Sequence, residues 1–70
     1  MEEQKALEEE LSRLPAILTV KETAEFLRVD NSTIYRKIAC GELKAFMPEG
    51  EDYNILRSDL TEYCLKSFWI

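Results

Sequence analysis

In the stretch VDNSTIYRKIACG, residues 29–41, hydroxyls, cations and a tyrosine recur at helical spacing. At about 100° per residue, Ile34 and Ile38 point one way. Ser32, Thr33, Arg36 and Cys40 point the other way, with Ala39 beside them, and Lys37 and Tyr35 flank the two edges. Such a face suits the major groove of a duplex. An arginine there can donate two hydrogen bonds to guanine O6 and N7. Ser32 and Thr33, near the helix start, can reach base edges or phosphates. Tyr35 and Lys37 can hold backbone phosphates, which position without specifying. Any solvated surface helix also has a polar face, and Tyr35 fits packing against the preceding helix as well as it fits a phosphate. Arg28, in the turn before the segment, is ambiguous in the same way.

Other chemistries have little to stand on. The chain has no histidine, so the commonest general base is missing. No phosphate loop and no paired nucleophile and base occur. An enzyme is not expected, and no cofactor is implied. Cys40 and Cys64 stand apart without a CxxC pair, which argues against zinc and for two free thiols in a cytoplasmic protein. No apolar run approaches the roughly 18 residues of a membrane helix, and the opening MEEQKALEEE is not a secretory signal.

The elements that position the polar face can be read from caps and periodicity. Thr19 caps a helix over 19–27, and Glu22 completes a capping box. Val20, Thr23, Ala24 and Leu27 share its inner face. RVD makes a short turn in which Val29 is expected to be buried. Asp30 suits the N-cap of the next helix, and Gly41 suits the left-handed position that closes it. This is the layout of a helix-turn-helix. ELKAFM and YNILR, separated by PEGED, read as a small hairpin. SDLTEYCLKSF follows as a helix capped by Ser58 or Asp59, with Leu60, Cys64 and Phe68 on its core face. Residues 2–14 form a helix with a Leu7, Leu11, Leu14 stripe, ended by Pro15. The segment reads as a frayed, solvated arm, as a helix whose stripe packs on the domain, or as half of a dimer contact. The closing Phe68, Trp69 and Ile70 either complete the core or form a docking patch. The division is an acidic helical arm over 1–14 and a domain over 15–70.

Charge is distributed unevenly. The net charge is -5, yet residues 1–14 hold five glutamates against Lys5 and Arg13. Within 28–44, Arg28, Arg36, Lys37 and Lys44 outnumber Asp30 and Glu42. Affinity for phosphate depends on the local field, which decays over about 8 Å at physiological salt. Global acidity therefore weakens a nucleic-acid reading without removing it.

The stretches LTVKETAEFLRVDNSTIYRKIACGEL at 18–43 and ILRSDLTEYC at 55–64 carry several anchors at fixed offsets. With the hairpin between them, they resemble the excisionase and MerR-type winged helix-turn-helix DNA-binding domains. The resemblance implies a mainly α fold with a small β-hairpin wing. It also implies a bacterial or phage protein acting as a transcriptional regulator or a recombination directionality factor. Double-stranded DNA would be the partner, with a recombinase or transcription protein beside it, and the chain would be a monomer or weak dimer. The DNA-binding residues expected on this basis are Arg28, Ser32, Thr33, Tyr35, Arg36, Lys37, Lys44 and Arg57. One departure stands out. The family's wing loop is usually basic, whereas here it is PEGEDYN, with Glu49, Glu51 and Asp52. The alternative reading is a protein-interaction module on the same scaffold.

Overall fold

A computed structural model describes residues 2–68, with side chains described over 5–66. The elements are α1 (Glu2–Ser12), β1 (Ile17–Thr19), α2 (Val20–Leu27), α3 (Asn31–Ala39), β2 (Asn54–Leu56) and α4 (Arg57–Phe68). The fold is mainly helical, a helix-turn-helix with a small antiparallel sheet and a wing. Trp69, Ile70 and the Phe68 side chain, read above as core or docking groups, lie outside the described residues.

The start of α2 follows the sequence reading closely. Thr19 Oγ1 accepts from the Glu22 amide at 3.0 Å, and the Glu22 carboxylate accepts from the Thr19 amide at 2.8 Å. This reciprocal cap satisfies two donors that a helix start otherwise leaves open. Thr23 is fully buried, and its hydroxyl donates to the Thr19 carbonyl at 2.9 Å, so its burial leaves no donor unpaired.

Both helices of the pair end in the same way. The Val29 amide donates to Ala24 O and the Arg28 amide to Glu25 O. At the end of α3, the Glu42 amide donates to Lys37 O and the Gly41 amide to Ile38 O. This paired pattern requires a left-handed residue just past the helix. Gly41 adopts φ +85° without penalty, whereas Arg28 adopts φ 60° with a Cβ, at a cost of about 1 kcal/mol or more. Asp30 sits at the N-cap of α3 as expected, but its side chain makes no cap bond. Its carbonyl takes the amides of Thr33 and Ile34 instead. Val29, expected inside, is 39% exposed. The left-handed turn at Arg28 carries the chain outward before α3 begins.

Two further differences concern strands and the last helix. The sheet pairs β1 with β2, in the register Ile17↔Leu56, Leu18↔Ile55, Thr19↔Asn54. The expected hairpin between ELKAFM and YNILR is present as one rung, Phe46↔Asn54, with mutual amide–carbonyl bonds of 2.9 and 2.7 Å. Its tip turns over residues 48–51, where the Glu51 amide donates to Pro48 O and Gly50 supplies φ +77°. The α4 helix begins at Arg57, so Ser58 and Asp59 lie in its first turn rather than capping it. The reason is pairing: the Arg57 amide donates to Ala16 O at 2.8 Å, which carries the strand register directly into the helix.

The core gathers Leu18, Val20, Ala24, Ile34, Leu43, Ile55, Leu60 and Cys64. Burial pushes the Cys64 thiol up to about 11, so it remains a neutral packing group. Leu11 of α1 joins the same core at 2% exposure, with Leu7 and Leu14 packed against it, and α1 lies against α4. The helix stops at Ser12, two residues before the expected end, because Pro15 disfavours helical geometry at the residue before it. The Arg13 and Leu14 amides close the end with bonds three residues back. Arg57 then ties this segment down, its Nη1 donating to Leu14 O at 2.7 Å.

Candidate nucleic-acid interface

The α3 helix is seated by Ile34, which is 1% exposed, and by half-buried Ile38. With that stripe inward, Ser32 and Arg36 are exposed and Thr33 is half-exposed. Arg36 Nη2 donates to Thr33 Oγ1, one turn earlier on the helix, at 3.3 Å, which turns the guanidinium back toward Thr33. The ion pairs among the described residues are Arg13–Glu10, Lys37–Glu42 and Lys66–Glu62. Arg28 and Arg36 are in none of them. Thr33 and Arg36 are joined by their hydrogen bond, Ser32 is exposed in the first turn of the same helix, and Arg28 is exposed in the turn that precedes it.

The other residues expected at the interface are placed differently. Lys37 pairs with Glu42 at 2.9 Å. That contact holds the Lys37 ammonium above its ordinary range and the Glu42 carboxyl below its own. Tyr63 of α4 stands near the same ammonium and adds to the first shift. Lys44 lies apart, beside Glu42, Asp59, Glu62 and Tyr63. Arg57 is taken up by backbone carbonyls of residues 12 and 14. Among the eight residues, Thr33 and Arg36 are in contact, Ser32 and Arg28 are exposed near them in sequence, Tyr35 and Lys37 are engaged by Asp52 and Glu42, and Lys44 and Arg57 are set elsewhere.

Tyr35 links α3 to the wing. Its hydroxyl donates to an Asp52 carboxylate oxygen, and its ring lies 6.2 Å from that of Tyr53, tilted by 59°. Asp52 also accepts from the Tyr53 amide at 2.7 Å. Both bonds favour the ionised carboxylate and hold Asp52 below its usual range, the tyrosine hydroxyl contributing most. The same hydroxyl bond raises Tyr35 above its own range. Sequence reasoning misses Asp52 as a partner of α3. No local signal joins a tyrosine to a carboxylate across the wing.

Capped helix, left-handed turn and second helix are the arrangement of a helix-turn-helix, and a family model described as a helix-turn-helix domain matches residues 17–66. The chain belongs to that family. Its members are excisionase-like DNA-binding domains. No curated protein and no solved structure matches the chain. Within the helix-turn-helix domain, α2 and α3 are the pair that names the family, and the matched span also takes in both strands and most of α4. It leaves out α1. No helix among the described residues is long and apolar enough to cross a membrane.

Proposed function

We propose that this helix-turn-helix domain is a sequence-specific, non-enzymatic DNA-binding protein of the excisionase or MerR type that lays α3 in the major groove. It acts as a transcriptional regulator or as a factor that directs recombination. Residues 15–70 are the binding unit, and residues 1–14 are an acidic arm packed on it. One observation carries the reading: Ser32, Thr33 and Arg36 share the exposed side of α3, opposite its buried isoleucine, with the Arg36 cation outside every ion pair among the described residues. Arg36 is the base-reading residue and Lys37 a phosphate contact at the edge.

The test compares the two. Arg36→Ala should cost about 1–3 kcal/mol against a selected site and relax its specificity. Lys37→Ala should weaken binding to all sequences alike. Equal, small losses for both in a gel-shift or anisotropy titration would remove base reading by Arg36.

A second reading is favoured by the wing. Its loop carries Glu49, Glu51 and Asp52, all exposed, which repel phosphate. The outer side of the sheet also exposes Ile17, Leu56 and Phe46. A protein-interaction module on this scaffold would bind no random duplex even near 50 mM salt. A DNA-binding module would bind and lose affinity steeply as salt rises.

A further inference from the structure

Arg28 combines two properties that nothing in local folding requires of one residue. Its backbone is left-handed, at φ 60° and ψ 45°, where glycine is the unstrained choice. The matching position after α3 is a glycine, Gly41. Its side chain is exposed and joins no ion pair among the described residues, although the chain carries an excess of carboxylates. Neither Glu25 nor Asp30, acidic neighbours in sequence, is paired with it. A strained position holding an unpaired cation is a place to look for function rather than for stability.

Resting on the DNA-binding reading above, we propose that Arg28 is a phosphate-binding residue. It clamps the DNA backbone at the corner between α2 and α3 and so fixes the register in which Ser32, Thr33 and Arg36 meet the bases. Arg28 stands three residues before Asn31, at most about 11 Å along the chain. A phosphate on its guanidinium would be held at the corner that leads into α3. Such a contact sets orientation without carrying sequence information. The cation accounts for an arginine where the turn itself favours glycine.

The test separates strain from contact. Arg28→Gly and Arg28→Asn both suit a left-handed backbone, so both variants keep the fold. Arg28→Gly should raise the melting temperature. Both substitutions should lower affinity for random-sequence and selected duplexes alike, by about tenfold for a charged hydrogen bond lost. They should also flatten the log–log salt dependence by about 0.9, as one phosphate contact disappears. Arg28→Lys should retain the wild-type slope. Wild-type slopes in the glycine and asparagine variants, while the unsubstituted chain binds, would overturn the clamp and leave the DNA-binding reading standing. An unsubstituted chain that binds no duplex at low salt would overturn both. An unchanged or lower melting temperature for Arg28→Gly would remove the strain on which the inference is built.

Discussion

The α3 helix and the wing loop touch through Tyr35 and Asp52, yet the rest of the molecule holds them by opposite means. Apolar burial seats α3, with Ile34 inside the core and Ile38 at its margin. None of residues 48–53 is buried, and the loop is fixed by a tyrosine–carboxylate bond, an aromatic contact and one backbone rung behind it. Burial of hydrocarbon responds weakly to salt and pH, whereas a bond to an exposed carboxylate responds to both. The charges differ as well. Arg28, in the turn before α3, and Arg36, in its last turn, join no ion pair among the described residues, and carboxylates lie on the wing. Affinity for a polyanion should therefore come from the helix, while the wing limits it.

Three experiments probe that contrast. The largest effect should come from the seat of α3: Ile34→Ala should destabilise the fold by about 2–5 kcal/mol in denaturant unfolding. In a domain of this size, whose stability is on the order of 5 kcal/mol, that is enough to unfold much of the population. A loss below about 1 kcal/mol would mean that burial of Ile34 does not hold the helix.

The wing charges should matter less to the fold and more to DNA. Glu51→Lys with Asp52→Lys should raise affinity for random duplexes, with a log–log salt slope steeper by about 0.9 for each new contact. An unchanged slope would place the wing away from the DNA. Glu51→Lys alone leaves the Tyr35–Asp52 bond in place, so comparing it with the double variant separates charge from tethering.

The smallest effect is with pH. Asp52 lies below its ordinary value in the folded state, so its stabilising contribution is full above the unfolded carboxylate range. It is lost as pH falls through the lowered folded value. Tyr35 lies above its ordinary value, so its contribution is full below the usual tyrosine range and is lost as pH rises through the raised one. NMR shifts of the Tyr53 amide, which bonds Asp52, should move at the acidic end while those of Ile34 stay still. Matching shifts at both positions would erase the distinction between the two regions.

Features written in consecutive residues were legible from the sequence. The Thr19–Glu22 box, the closing Gly41 and the Ile34, Ile38 stripe each depend on spacings of three or four, or on a single glycine, and each is found as expected. The Leu7, Leu11, Leu14 stripe was equally plain, but whether it met the domain or another chain depended on distant residues. Leu11 in the core answers this in favour of the domain. The β1 strand was not legible, because three residues are too few to display an alternation and its partner lies beyond both α2 and α3. Val29 looked internal on hydrophobicity alone, and only the turn at Arg28 shows why it faces outward. On α3, helical spacing placed Ser32, Thr33 and Arg36 away from Ile34, and Ser32 and Arg36 are exposed with Thr33 half-exposed. Spacing could not predict that Lys37 would be paired with Glu42, or that Arg57 would be occupied by carbonyls of the arm.

The pairing of Ile17–Thr19 with Asn54–Leu56 also bears on how the molecule assembles. The whole helix-turn-helix lies between the two strands, so joining them closes a long loop, at an entropic cost that grows with the logarithm of its length. Contacts within α2 and α3 are local and close quickly, whereas contacts across such a loop slow the approach to the native state. The local contacts of α2 and α3 therefore form before the sheet and the Arg57 bonds that join the segments on either side of them.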